Sequence, residues 1–221
     1  MAAVRYSEWL EHVFDRPVTP GGWYFDEENT SFDASEIEIV ALVARTLENC
    51  GADLARYSDE QVNHGLKYIF EAGCSDTVHA LMSDDVPAGL RLQALSAIKT
   101  LYRDCFGPRC APVLGHVNAP GANPLNFICY MLWDVSPLSY WERKASPERT
   151  RFYDAVVDVL EDALTSTNPA CVESALHGLG HLLSSHVERV TRVIAAYLGE
   201  NVFVSPELKK YAQQASVGNI Q

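Results

Sequence analysis

The sequence predicts an all-α protein, built as an irregular stack of roughly four to five antiparallel helix pairs. Apolar residues recur at the three- and four-residue spacing of helices along most of the chain, and the alternation typical of strands is almost absent. Helix-starting residues such as Ser58, Pro87 and Asn168 precede these periodic segments. With 221 residues, 48% of them hydrophobic, the chain is long enough for one substantial core, so we expect a single domain over residues 1–221.

The first part of the chain is predicted to form a helix, a long loop and two further helices. Residues 1–34 hold the first helix and a loop rich in aromatic and acidic side chains. Residues 35–50 are apolar nearly all round, so this helix should lie centrally. Ser58 can accept a hydrogen bond from a free amide at the start of the next helix, and Gly73 is expected to end it.

The middle of the chain is predicted to alternate between helices and a long irregular segment. A short helix over 77–82 is followed by a longer one that starts at Pro87, since proline suits the first helical turn. Residues 107–126 are rich in glycine and proline and should form a loop that encloses a short helix over 112–117. A helical pattern returns over 125–134.

The last part of the chain contains a further set of predicted helices. Ser146 and Asn168, each followed by proline, mark the starts of two of them, and residues 187–198 form a partner helix. Residues 35–205 therefore make up the helical hairpins, and residues 206–221 form a C-terminal cap.

A short pattern recurs in these helices: a small residue, leucine, any two residues and a branched apolar residue. It occurs at 65–69, 94–98 and 175–179, each time after a cluster of helix-starting residues. The last two copies lie about two repeat lengths of roughly 40 residues apart.

This pattern resembles the second helix of HEAT or armadillo-like repeats. The resemblance is carried mainly by residues 85–101 and 168–182 and more faintly by 58–72, over about half the chain. It implies an α-solenoid, a right-handed curved stack with a convex face, a concave face and a binding function. The sequence departs from the family pattern in its irregular spacing and in the proline- and glycine-rich segment 107–126.

The negative charge of the chain is concentrated in its first part. The net charge is −12, and residues 1–86 contain 17 acidic side chains against five basic ones, whereas the remainder is balanced. A surface of this sign repels phosphate backbones, which argues against nucleic-acid binding and favours a basic partner. The alternative is that the acidic side chains only keep the protein soluble.

Membrane and disulfide-rich classes are also disfavoured. No run approaches the roughly 18 apolar residues of a membrane span, and the N-terminal residues lack the apolar stretch of a secretory signal. The six cysteines form no Cys-x-x-Cys pair. We therefore expect a cytoplasmic protein with reduced thiols, most of them in the core.

The sharpest local pattern is formed by Glu173, His177 and His181, which are spaced four residues apart and so lie on one face of a helix. Imidazole and carboxylate groups in this arrangement are candidate ligands for Zn or Fe. His186 and Glu188 are further candidates, and no His-Glu-x-x-His motif is present. The alternative is a helix groove in which Glu173 hydrogen-bonds to His177.

Gly178 and Gly180 lie in the middle of the same helix, where each costs roughly 1 kcal/mol relative to alanine. We expect close helix packing at both positions to offset this cost.

Two groups of aromatic and charged side chains are candidate protein-binding residues, because tryptophan and tyrosine anchor many interfaces. Core packing is the alternative for both groups. The candidates are Trp23, Tyr24, Asp26, Glu27 and Glu28 in the first group, and Trp133, Tyr140 and Trp141 in the second.

The leading functional hypothesis is a non-catalytic helical-repeat protein that binds another protein, with a basic partner favoured. A toxin-neutralising immunity protein is one special case. The alternative is a metal-dependent enzyme or metal-binding protein that uses the His-x-x-x-His helix. A HEAT-like DNA glycosylase is disfavoured because the only basic cluster lies within 143–151. A separate search for a catalytic serine finds no Gly-x-Ser-x-Gly motif.

Overall fold

Helices make up all the regular structure in the described part of the chain, which confirms the all-α class. The structure, a computed structural model, describes residues 2–26, 31–140, 146–200 and 205–220. The helices are α1 Ala2–Phe14, α2 Glu36–Glu48, α3 Cys50–Asp53, α4 Asp59–Phe70, α5 Thr77–Ala80, α6 Ala88–Leu101, α7 Gly107–Arg109, α8 Pro124–Val135, α9 Pro147–Ala163, α10 Pro169–Leu182, α11 Val187–Glu200 and α12 Pro206–Ala215. Two 3-10 turns, Trp23–Phe25 and Pro137–Ser139, and a π-helical segment, Tyr102–Phe106, complete the set.

Side-chain caps confirm the helix starts predicted at Ser58, Ser146 and Asn168. Ser58 Oγ accepts from the Gln61 amide at 3.2 Å, and the Gln61 side chain accepts from the Ser58 amide at 3.1 Å, which forms a capping box. Asn168 Oδ1 accepts from the Ala170 amide at 3.0 Å, and Ser146 caps α9 in the same way. These side chains satisfy amides that have no partner within their own helix.

Two predicted details are wrong. Helix α4 ends at Phe70, three residues before Gly73. The predicted helix over 112–117 is not formed, because side chains from other helices take up the backbone groups of this segment and its flank. Asn126 bonds both the amide and the carbonyl of Ala111, at 3.0 and 2.8 Å, and Glu173 accepts from the Gly115 amide at 2.6 Å. These bonds come from side chains 15 and 58 residues away and occupy backbone groups that would otherwise need partners within a helix.

The helices fall into two rows. In one row α2 packs on α6, α6 on α9 and α9 on α11; in the other α4 packs on α8, α8 on α10 and α10 on α12. Helix α1 contacts both α2 and α4 at one end, and α10 contacts α9 and α11 across the rows. Each helix of one row is followed in the chain by its partner in the other, apart from the short helices α3, α5 and α7.

A single buried cluster of apolar side chains runs through both rows. It contains a hydrogen-bonded chain in which Trp133 Nε1 donates to Tyr102 Oη at 2.8 Å and Tyr102 bonds Ser174 Oγ at 2.6 Å. Ser174 in turn donates to the Cys129 carbonyl. These hydrogen bonds connect α8, the π-helical segment and α10. All six cysteines are buried free thiols.

Both central glycines of α10 lie at close contacts, with two helices at Gly178, as expected, and with the non-helical C-terminal segment at Gly180. A Cβ atom at Gly178 would lie 2.7 Å from Leu160 Cδ2 and from Trp133 Cγ, and one at Gly180 would lie 2.7 Å from Ile220 Cγ2. The absence of a side chain therefore lets α9, α8 and the C-terminal segment approach α10.

Within the described ranges no helix combines the length and the apolar character that crossing a bilayer requires.

We expect the Gly178→Ala substitution to destabilise the fold. Overpacking of this kind costs roughly 1–3 kcal/mol, which exceeds the gain of up to about 1 kcal/mol in helix propensity. Gly199→Ala is the matched control, because a Cβ at Gly199 meets nothing within 4 Å. Urea unfolding at equilibrium measures both variants. A Gly178→Ala protein as stable as the Gly199→Ala protein would contradict the close packing.

Candidate functional site

Helix α10 carries polar side chains in the interior of the protein. Every residue from Ala170 to Gly180 is buried, including Glu173 at 1% and His177 at 3% exposure. Only His181, the last of the three predicted ligands, reaches the surface in part. The face predicted to hold polar groups is therefore turned inward, toward α8 and α12.

The two histidines converge with an aspartate that the sequence analysis did not single out. His181 Nε2 lies 3.1 Å from His177 Nε2 and 3.2 Å from Asp134 Oδ1. One ligand atom from each of Asp134, His177 and His181 lies within 4.8 Å of the other two. Asp134 belongs to the last turn of α8, so the packing of α8 on α10 assembles this group.

Glu173, the third predicted ligand, points elsewhere. Its carboxylate accepts from the amides of Gly115 at 2.6 Å and His116 at 3.0 Å, and it also bonds the His116 imidazole. The hydrogen bond from His177 to Glu173, which was the alternative expectation, is replaced by one to Tyr211. Glu173 thus holds the loop between α7 and α8 against α10.

Tyr211 on α12 contacts the second ring nitrogen of His177, the one that does not face His181. Its hydroxyl lies 2.6 Å from His177 Nδ1 and 3.3 Å from the Tyr130 hydroxyl, and the residue is 2% exposed. The His116 ring stacks on Tyr211 with 4.4 Å between ring centroids. When Nδ1 of His177 donates to Tyr211, Nε2 keeps its lone pair and presents it to His181 and Asp134.

Burial keeps the two imidazoles neutral at pH 7. It lowers the pKa of His177 to about 4, an effect to which the neighbouring His181 contributes and which Asp134 opposes. Burial also lowers the pKa of His181, again against the effect of Asp134. Burial raises the pKa of Tyr211 far above its ordinary value, so this phenol stays protonated. The group consequently offers two neutral nitrogens and one carboxylate, which are ligands that transition metals accept.

His186, a further candidate ligand, is engaged outside this group. Its Nε2 lies 3.0 Å from Asp154 Oδ1 on α9, and the same carboxylate oxygen accepts from Arg189 at 2.9 Å.

The second group of predicted protein-binding residues is divided between core and surface. Trp133 is fully buried and so belongs to the core, which was the alternative expectation: its ring packs at Gly178, and its indole nitrogen is bonded to Tyr102. Tyr140 is 53% exposed, and its hydroxyl donates to the Asp134 carbonyl at 3.0 Å. Trp141 lies outside the described residues.

The first group is divided in a similar way. Trp23 is 3% exposed and stacks on Tyr68 with 4.9 Å between ring centroids, so its ring belongs to the core. Tyr24 is half-buried and Asp26 is exposed. Glu27 and Glu28 lie outside the described residues.

Asp134 and Tyr211 escaped the sequence analysis because each lies on a helix remote in the chain from His177. Helix periodicity places both residues in helices but does not show which helices become neighbours. No family model, curated protein or solved structure matches the chain. The geometry of the described residues therefore carries the functional inference.

The stability of the metal-free protein should fall between pH 6.5 and pH 4. His177 stays neutral in the folded chain down to about pH 4, whereas its ordinary pKa is 6.5. The unfolded state then binds more protons in this window, so the free energy of unfolding decreases as the pH falls. For this one residue the loss is on the order of 3 kcal/mol.

Urea unfolding in the presence of a chelator, repeated across this pH range, measures the effect. The His177→Gln variant should show a shallower pH dependence, whereas His79→Gln, at an exposed position on α5, should behave as the parent protein does. Parallel pH profiles for the parent and His177→Gln would contradict this assignment.

Proposed function

We propose that the chain binds a divalent transition-metal ion through Asp134, His177 and His181. The observation that carries the proposal is that one ligand atom from each of these three residues lies within 4.8 Å of the other two. Two neutral nitrogens facing each other at 3.1 Å share at most one hydrogen bond, whereas an ion between them would use both lone pairs.

The donor set favours Zn²⁺ or Fe²⁺ among the ions available to proteins. Imidazole ligands suit zinc, iron, copper and nickel. Two imidazoles with one carboxylate occur in catalytic zinc sites and in mononuclear iron sites. The proposal keeps the two histidines of the sequence-based prediction and replaces Glu173 with Asp134 as the carboxylate ligand.

The surroundings of His177 support the same interpretation. Histidine ligands of metal ions almost always bond a second group through the nitrogen that does not bind the metal. The 2.6 Å contact between His177 Nδ1 and Tyr211 supplies such a bond, and Tyr130 extends it. Gly178 allows α8 and α9 to approach α10 beside this histidine.

Removal of any proposed ligand should weaken metal binding strongly. We expect Asp134→Asn, His177→Gln and His181→Ala each to lower the affinity by more than the roughly 10- to 100-fold that is lost when a ligand keeps the metal but loses its own hydrogen-bond partner. Metal content by mass spectrometry and chelator competition with Zn²⁺ and, without oxygen, Fe²⁺ measure the effect. Metal should also raise the Tm of the parent protein in a concentration-dependent manner.

Two control variants separate this ligand set from the alternatives. His79→Ala removes an exposed histidine of α5 and should leave the metal affinity unchanged. Glu173→Gln should leave metal affinity close to that of the parent while lowering stability, because Glu173 bonds the loop. Loss of metal in Glu173→Gln together with its retention in Asp134→Asn would restore the sequence-predicted ligand set. A parent protein that binds neither ion would end the metal proposal.

A second candidate function is the binding of a protein partner by a short α-solenoid. The order of the two helix rows supports it, because neighbour-on-neighbour packing of successive helix pairs is the arrangement of helical repeats. The concentration of acidic side chains in residues 1–86 would favour a basic partner. Exposed Asp26 and Tyr140 remain available for contact, unlike Trp23 and Trp133.

Charge reversal tests this second function. If the acidic residues bind a partner, changing Asp26, Glu27 and Glu28 to lysine should abolish the capture of a basic protein that high salt releases from the parent. Reversal of Asp162, Glu188 and Glu207, in the neutral part of the chain, is the matched control. Equal capture by both triple variants would remove the first acidic group from the interface.

A further inference from the structure

The three proposed ligands leave a metal ion incompletely coordinated. Structural zinc sites use four protein ligands, whereas catalytic zinc and mononuclear iron sites use three and keep positions open. No fourth histidine, cysteine or acidic residue of the described ranges joins Asp134, His177 and His181. Glu173 lies one turn from His177, but both of its oxygens are engaged by Gly115 and His116.

The exposure of the ligands indicates the side on which these positions lie. His177 is 3% exposed, whereas the side chains of His181 and Asp134 are 23% and 43% exposed. An ion bound by all three would therefore be enclosed on the His177 side and would face solvent on the side of His181 and Asp134.

A cleft of about 540 Å³ lies at the C-terminal end of α10, and His181 is the one proposed ligand that lines it. It lies between α10, α11 and the segment that follows α12. It combines hydroxyl groups with apolar side chains, namely Ser184, Val187, Thr191, Ser216 and Ile220. Such a lining suits a small organic molecule with one polar end.

The charge of the metal ion and its ligands indicates which polar group the small molecule would carry. A divalent ion with two neutral imidazoles and one carboxylate retains one positive charge, so an anion in the open position would neutralise it. The chain as a whole carries a net charge of −12, which disfavours multiply charged anions. A monoanion satisfies both conditions, and a carboxylate is a monoanion whose oxygens bind zinc and iron.

We propose that the ion held by Asp134, His177 and His181 takes a small organic carboxylate as an exchangeable ligand, whose apolar part lies in the cleft beside His181. This inference rests on the proposed metal-binding function and extends it. The site is then an open centre that exchanges ligands, in contrast to a closed structural site.

Cobalt substitution tests the inference with a readout that needs no enzymatic activity. The visible absorption of the Co²⁺-loaded protein should change saturably when azide, and separately butyrate, is added. A Co²⁺ spectrum that neither anion changes would overturn the open site and leave the metal-binding function standing. Failure of the protein to bind Co²⁺, Zn²⁺ or Fe²⁺ would overturn both.

A variant with a partly filled cleft distinguishes binding of the ligand's apolar part in the cleft from coordination of the anion by the metal ion. Ser184 is exposed at the cleft, so Ser184→Trp should fill part of it without disturbing the core. We expect butyrate affinity to fall about tenfold or more, equivalent to about 1.4 kcal/mol, while azide affinity stays within about threefold of the parent. Glu188→Trp, on the exposed face of α11 outside the cleft lining, is the control. Unchanged butyrate affinity in Ser184→Trp would overturn the assignment of this cleft.

Discussion

The burial of α10 is the constraint on which the rest of the structure depends. A helix enclosed from Ala170 to Gly180 must find internal partners for every polar side chain it carries, because an unpartnered buried polar group costs roughly 1–3 kcal/mol. Four elements around α10 supply these partners. Ser174 is satisfied by the π-helical segment and α8, Glu173 by the loop before α8, and His177 by α12.

The same constraint explains why the candidate metal site lies where it does. His177 is oriented by Tyr211 on one side, and its second nitrogen is directed toward the end of α8, where Asp134 lies. The close contact of Gly178 with Trp133 lets α8 approach α10 at this point. Core packing and ligand placement are therefore two results of one arrangement, and a change in either alters the other.

Much of the fold was predictable from the sequence, because helix starts are local. Ser58, Ser146 and Asn168 accept hydrogen bonds from amides a few residues away, so their residue types alone indicate where helices begin. The helix over 112–117 was predicted wrongly because the group that accepts a hydrogen bond from this segment is distant in the chain: Glu173 lies 58 residues from Gly115. The two histidines of the site were predictable as neighbours on one helix, whereas Asp134 and Tyr211 depend on which helices pack together.

Helix α7 and the loop that follows it are hydrogen-bonded to two distant parts of the chain. Arg109 donates to the Leu54 and Tyr57 carbonyls at 3.0 and 2.8 Å, while His116 is bonded to Glu173 across 57 residues. A plain stack of helix pairs has mostly contacts between sequence neighbours, and its folding can begin at any pair. These ties add contacts of long sequence separation, whose loop-closure entropy must be overcome before they stabilise the chain. The middle of the protein should consequently fold late, as the step that joins two partly formed halves.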